Sequence, residues 1–269
     1  MLINSEGIVL KQRKIAGNRR MIVIFTRQYG KISAGTSINE KSRNRSALAL
    51  RPFTHAEYDL FRGREAYNIN SASVRKSYYS IGEDLNKFAV ASAFIEYLDR
   101  ILQEGQPAPG LFDLALEFME SVSRTTTDPT TLLYAFTVRS LRMLGVAPEL
   151  GCCVNCGKPV GEFGYGPEGS RAFKQFSVSS GGIICEDCAK REKTEPDALI
   201  YQPPFDIIEV FRFFMSKSIS TFEKVKLKKP VSDMIGSILA EYTDRYLGVN
   251  VLGKMKEMEV NYGYQPREN

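Results

Sequence analysis

Residues 21–35 read Met21-Ile22-Val23-Ile24-Phe25-Thr26-Arg27-Gln28-Tyr29-Gly30-Lys31-Ile32-Ser33-Ala34-Gly35. A run rich in β-branched residues, a Tyr-Gly turn and a second apolar run make the pattern of two successive strands. Outward from this stretch, Gly7-Ile8-Val9-Leu10 precedes it, and His55-Ala56-Glu57-Tyr58-Asp59-Leu60-Phe61 and Ala66-Tyr67-Asn68-Ile69-Asn70 follow. Five short strands separated by turn signals predict a small closed barrel, and a barrel of this size and strand count suits an OB-fold. The expected core takes Phe25 and Phe61 inward, which leaves Tyr29, at the turn, as the aromatic for ligand contact.

The pattern changes near Gly82. Leu85, Phe88, Ile95, Leu98 and Leu102 fall at helical spacing, with a stop at Pro107-Ala108-Pro109-Gly110. A second helix carries Leu111, Leu114, Ala115, Phe118, Met119 and Val122. A third opens after Asp128-Pro129, carries Leu132, Leu133, Phe136, Leu141 and Leu144, and ends at Gly145. After a Cys- and Gly-rich segment, helical spacing returns at Phe205, Ile208, Phe211 and Met215, then at Met234, Ile235, Ile238, Leu239, Tyr242 and Tyr246. The expected fold is therefore α+β and multi-domain: an OB barrel over 1–80, a helical domain over 81–151 and 190–248, a cysteine insertion over 152–189, and a poorly anchored tail over 249–269.

Charge is distributed unevenly. The whole chain has 36 Lys and Arg against 31 Asp and Glu, yet residues 1–80 hold 15 against 5, leaving 21 against 26 for the remainder. A basic module on a mildly acidic body points to a polyanionic partner. The candidate phosphate contacts are Lys11, Arg13, Arg19, Arg20, Arg27, Lys31, Lys41, Arg43 and Arg45, with Lys14 and Arg51 beside them. No stretch approaches the roughly 18–20 apolar residues of a membrane span, and the start lacks the basic and apolar regions of a signal peptide, so a cytoplasmic protein without membrane contact is expected.

Cys153-Val154-Asn155-Cys156-Gly157 and Cys185-Glu186-Asp187-Cys188 form two C-x2-C pairs separated by 28 residues. Two residues between thiolates let one tight knuckle present both sulfurs to one ion, and Gly157 can adopt the positive φ such a turn needs. Cys153, Cys156, Cys185 and Cys188 are thus the candidate ligands of one structural zinc ion in a ribbon-like insertion. Cys152 is the spare thiol. The competing reading of buried or disulfide-bonded cysteines fits paired C-x2-C motifs poorly. A closed four-thiolate shell has no open position for catalysis.

Other motifs are weaker. His55-Ala56-Glu57 resembles half of a zinc deaminase signature, but no Pro precedes Cys153 and the second C-x2-C already completes the metal shell. Gly164-Tyr165-Gly166-Pro167-Glu168-Gly169 matches G-x-G-x-x-G without a strand–helix context, and no phosphate-binding G-x-x-x-x-G-K-[ST] loop occurs. A non-enzymatic, binding function is expected.

The order of parts, together with Glu6-Gly7-Ile8-Val9-Leu10-Lys11, Phe25-Thr26-Arg27, Tyr29-Gly30-Lys31-Ile32, Pro52-Phe53 and Phe61-Arg62-Gly63-Arg64, resembles the RecO family of bacterial recombination mediators. The two cysteine pairs, with Gly181-Gly182-Ile183-Ile184 before the second, are similar to its zinc-binding variant. The resemblance covers about residues 1–247, and Glu40 departs from it by placing an acid before the basic cluster at Lys41. It implies binding of single- and double-stranded DNA without sequence specificity and annealing of complementary strands. It further implies association with RecR and promotion of RecA loading on DNA coated by single-strand-binding protein. The acidic tail of the latter would meet the helical body, with Lys87, Arg100, Arg139 and Arg142 as candidates. The alternative from another class is a zinc-ribbon and OB nucleic-acid module of transcription or translation.

Overall fold

The computed structural model describes residues 1–15, 19–38, 45–63, 66–162 and 175–255. By packing, the chain falls into two units, Met1–Pro129 and Thr130–Asn269. Among the described residues no helix is long and apolar enough to cross a membrane.

The first unit opens with β1 (Leu2–Lys14), β2 (Arg20–Thr26) and β3 (Gly30–Thr36), continues through the short helix α1 (Arg45–Ala49), and returns as β4 (Thr54–Arg62) and β5 (Tyr67–Ser77). The strands close into a barrel in the order β1-β2-β3-β5-β4, with only the β3–β5 seam parallel. This is the expected OB architecture. Strand β1 closes it because it is shared: residues 2–8 pair with β4 and residues 7–14 with β2, overlapping at Gly7 and Ile8. Alternate side chains fill the interior, among them Ile3, Val9, Ile22, Ile24, Ile32, Ala34, Ala56, Tyr58, Leu60 and Ile69. Helix α1, which lies where the sequence suggests only a loop, adds Ala49 to that core and accepts the buried Tyr58 hydroxyl on its Ala49 carbonyl at 2.8 Å.

Two further helices belong to this unit, α2 (Leu85–Ile101), capped by Asp84, and α3 (Pro109–Arg124), with Pro109 in its first turn. They explain why the two barrel phenylalanines differ from expectation. Phe25 is fully buried, but by the ring of Phe112 on α3, edge-on at 5.2 Å, rather than by the barrel interior. Phe61 points outward and is 52% exposed, because Ala56, Tyr58 and Leu60 already take the inward positions of β4. Tyr29 packs partly against the barrel core. On α2, Leu85 and Phe88 stay largely exposed, and the buried face runs through Val90, Ala91, Phe94, Tyr97 and Leu98. Gly30 allows the turn to approach the segment after α2: its φ is 66°, and a Cβ there would stand 2.0 Å from the Gln106 carbonyl oxygen.

A charged network ties barrel to α3. Glu6 accepts from Arg27 Nε at 2.7 Å and lies 2.7 Å from His55 Nε2, with Arg75 Nη1 at 3.7 Å. Arg27 also reaches Asp113 of α3 at 2.5 Å and lies over the Phe112 ring. Burial opposes charge on Glu6, but His55 and Arg27 outweigh it and hold the carboxyl below its ordinary range. Burial pushes the His55 imidazole the same way, below its usual value, with Arg75 and Arg27 adding to it against the pull of Glu6.

The second unit is built on α4 (Thr130–Met143), α6 (Ile207–Ser216) and α7 (Lys229–Leu247), whose shared core includes Phe136, Phe211, Phe214, Ile235, Ile238 and Leu239. Between α4 and α6 lies the insertion, with strands β6 (Gln175–Ser177), β7 (Gly182–Ile184) and β8 (Ile200–Tyr201) in the sheet order β7-β6-β8, and helix α5 (Glu186–Glu192). Its third strand comes from beyond residue 189, and the Glu149 backbone pairs with β7. The tail is better anchored than its composition suggests: residues 251–255 are helical, and Val249, Val251 and Leu252 are buried. Residues 256–269 lie outside the described residues.

The chain has a single histidine, which makes the network's pH response readable. With the folded pKa of His55 lowered below 6.5, the unfolded chain binds its proton first as pH falls. Unfolding stability is therefore expected to hold above about pH 7 and to begin falling as pH drops through about 6.5. A second loss follows below about 4.5 as Glu6 is protonated. Urea midpoints across pH 8 to 4 test this, and His55→Gln should abolish the first limb and, by removing one of the two groups that lower Glu6, shrink the second.

Candidate nucleic-acid interface and metal centre

Two rings of outward side chains on the barrel meet opposite fates. One runs through Phe25, paired with both Ile8 and Lys31, and on through Ile8 to His55. Helices cover this ring: Phe112 lies against Phe25 and His55, and Lys31 Nζ donates to the Asp99 carbonyl of α2 at 2.6 Å. The other ring runs Arg13, Met21, Gly35, Asn68, Phe61 and Leu2, each the register partner of the next. Arg13, Asn68, Phe61 and Leu2 are exposed, and Met21 and Gly35 are partly so.

This division sorts the predicted phosphate contacts. Arg13 and Arg19, with Lys14 between them in sequence, are exposed at the β1–β2 end and form no ion pair among the described residues. Lys11 is exposed on the neighbouring rung, with Nζ 3.9 Å from Asp99. Arg20, Arg27 and Lys31 are engaged inside the protein instead. Arg20 is only 6% exposed and donates to Gln12 Oε1 at 3.0 Å and to the Ile38 carbonyl at 2.8 Å. Gln12 in turn donates to the Leu50 carbonyl, so Arg20 and Gln12 together close this end of the barrel over α1. Arg27 serves two carboxylates, and Lys31 serves Asp99. Lys41 and Arg43 lie outside the described residues; Arg45 opens α1, and its side chain is outside them too.

The four predicted thiols do meet. The Sγ atoms of Cys153, Cys156, Cys185 and Cys188 all lie within 4.8 Å of one another. Cys156 and Cys185 are 3.8 Å apart. That equals the sulfur–sulfur edge of about 3.8 Å in a tetrahedron with metal–sulfur bonds of about 2.3 Å. Gly157 takes the expected positive φ of 73°, and its N–H donates to the Cys153 carbonyl at 2.9 Å, closing the first knuckle. Helix α5 starts directly after Cys185 and carries Cys188. Burial works against ionisation of Cys153, but backbone N–H groups of Cys185, Asn155 and Cys156 overcome it and bring the thiol down to about 6. Burial pushes Cys188 up to about 12, against the Arg191 guanidinium 3.0 Å from its sulfur. Such a cluster ionises fully only around a cation, so the donor set fits a metal that prefers thiolates. Cys152 is outside the cluster, in a backbone bridge with Pro159.

One organising residue escaped the sequence reading. Glu192, at the end of α5, is buried and accepts from Ser179 Oγ at 2.7 Å, Ser180 Oγ at 2.9 Å, Asn155 Nδ2 at 2.9 Å and Ser177 Oγ. Burial alone would raise its pKa, but these four donors hold it below the ordinary range. It thus links the first knuckle to the turn before β7. The Ser177-x-Ser179-Ser180 cluster was the available signal. Tyr246 and Phe176 fix the same turn and strand to the helices, through Tyr246 Oη to the Val178 carbonyl at 3.1 Å and Phe176 against Phe211 at 5.6 Å. The glycine motif at 164–169 lies outside the described residues.

Comparison with known proteins agrees across both units. Residues 1–78 match the family model described as Recombination protein O N terminal, and residues 82–255 the one described as Recombination protein O C terminal. Among curated relatives, a DNA repair protein RecO from Caldanaerobacter subterraneus subsp. tengcongensis is 27% identical over 259 residues, covering 96% of this chain and 98% of the relative. Another from Bacillus pumilus is 29% identical over 262 residues, covering 96% and 95%. One from Listeria monocytogenes is 25% identical over 256 residues, covering 94% of each.

Two outcomes follow from this geometry. Arg20→Ala and Arg27→Ala should each lower unfolding free energy by about 1–3 kcal/mol, since the first leaves the part-buried Gln12 and Ile38 acceptors unpaired and the second the part-buried Glu6 carboxylate. Arg13→Ala and Arg19→Ala should stay within about 0.5 kcal/mol, as read from urea denaturation. For the metal centre, Cys156→Ser should lose the ion and stability together, whereas Cys152→Ser keeps both, as measured by elemental analysis of the purified protein.

Proposed function

The chain belongs to the RecO family of DNA repair proteins, and we propose that within that role it is a recombination mediator that binds DNA without catalysing a reaction on it. The observation that carries this reading is the β1–β2 end of the barrel, where Arg13 of the open ring, Lys14 and Arg19 present exposed charge, with Lys11 on the neighbouring rung. Cations held on a rigid sheet meet phosphates and carry no sequence code, which gives affinity for single- and double-stranded DNA alike. Neutralising phosphates on two strands at once lowers their repulsion, and that is what annealing requires.

Membership of the family supports a set of proposed partners. With RecR, the protein promotes RecA loading on DNA coated by single-strand-binding protein, whose acidic tail meets cations of the helices. Lys87 and Arg100 on α2, and Arg139 and Arg142 on α4, are the candidates. Lys87 Nζ already donates to the Ser123 carbonyl at 3.1 Å and Arg139 to the Lys217 carbonyl at 3.2 Å, while Arg142 is exposed. The four thiolates would hold one zinc ion in a structural role, tying α5 and β7 to the first knuckle. The protein acts in the bacterial cytoplasm, where its DNA is.

The test is annealing of complementary oligonucleotides coated with cognate single-strand-binding protein, without ATP, over a salt series. Annealing should proceed, weaken steeply with salt, and fall at least tenfold in the triple variant Arg13→Glu, Lys14→Glu, Arg19→Glu. Binding of bare strands with no annealing of coated ones would overturn the mediator reading and favour a transcription or translation module.

A further inference from the structure

We infer that Phe61 is a stacking platform for an unpaired base, and that single-stranded DNA crosses the open ring from the β1–β2 end to Phe61. This rests on the proposed DNA-binding role of the barrel and specifies its ligand contact. Among the described residues of the five strands, Phe61 is the aromatic side chain turned out to solvent: Phe25 and Tyr58 are fully buried, and Tyr67 packs on the core with Arg62 over its ring. Its cross-strand partner Leu2 is 64% exposed, so an apolar pair stands open with Met1 beside it. That pair is far too small for a stable protein interface but matches the area of one base.

Position supports the assignment. Phe61 lies at the end of β4, next to Arg62, where the β4–β5 connection begins. Arg13, Lys14 and Arg19 lie where the β1–β2 connection begins and ends. OB barrels take oligonucleotides across strands 2 and 3 between these two connections. The ring residues between them, Met21, Gly35 and Asn68, have no bulky charged side chain, which leaves a shallow path bounded by cations at both ends. Four strand spacings of about 4.8 Å separate Arg13 from Phe61, roughly 19 Å, a span of several nucleotides that an OB site accommodates. Asp59, the acid nearest on β4, is engaged by Asn4 Nδ2 at 2.9 Å and Ser71 Oγ at 2.5 Å and marks the edge of the path.

The chain has no tryptophan, so Phe61→Trp in the full-length, metal-loaded protein gives a single indole reporter. Its emission should be quenched by a thymidine 20-mer and unaffected by an abasic backbone of equal length. Phe61→Ala should weaken binding of the thymidine 20-mer at least about fivefold and leave duplex affinity and the unfolding midpoint unchanged. Absence of quenching, or equal loss on both ligands, would overturn the stacking assignment while DNA binding by the barrel stands, provided that Arg13→Glu with Arg19→Glu weakens both. If that charge-reversed variant binds both ligands as the parent does, the barrel is not the DNA site and the inference falls with it.

Discussion

Closure of the barrel is the constraint on which the rest of the first unit depends. By pairing with β2 along one half and β4 along the other, β1 leaves the sheet without a free edge. Along β1, β2 and β4 most backbone groups are taken up in the ladders, so on those strands a ligand meets mainly side chains. Period-two alternation then fixes which side chains those are, and two helices decide which outward ring stays open. The ring through Phe25 and Lys31 is covered by α2 and α3; the ring through Arg13, Gly35 and Phe61 is not.

The same constraint divides the cations of the basic module. Arg19 and Arg20 are adjacent in sequence yet opposite in fate: one is exposed beside the turn, and the other enters the barrel end and needs acceptors there. A buried guanidinium without partners costs several kcal/mol, so Gln12 and the Ile38 carbonyl are part of its accommodation. Arg27 does the equivalent work between Glu6 and Asp113. Net charge thus overstates the surface available to DNA. In the second unit a like-charge problem is resolved by the opposite means, with four thiols converging where a cation can offset their repulsion.

Local patterns were legible to the extent that they depend on local physics. The five strands follow from β-branched alternation, and the metal cluster from C-x2-C spacing with Gly157. The alternation of Ala56, Tyr58 and Leu60 also places Phe61 outward, against the inward reading that its hydrophobicity invites. What the sequence hid depends on distant packing. Phe25 is buried only because α3 brings Phe112 to it, Arg20 only because Gln12 stands two rungs inside β1, and Glu192 only because the ribbon folds three serines around it. Helix α1 is likewise set by the barrel core it packs on.

The central claim is that the exposed cations at the β1–β2 end of the barrel hold DNA while those engaged inside the protein hold the fold. Lysine-selective acetylation read by mass spectrometry, with and without a saturating oligonucleotide, addresses it residue by residue. Lys11, 46% exposed and 3.9 Å from Asp99, and Lys14 should be labelled in the free protein and protected at least severalfold by DNA, whereas Lys31, 19% exposed and donating to the Asp99 carbonyl, should react slowly in both states. Equal labelling of Lys11 and Lys14 with and without DNA would contradict the claim.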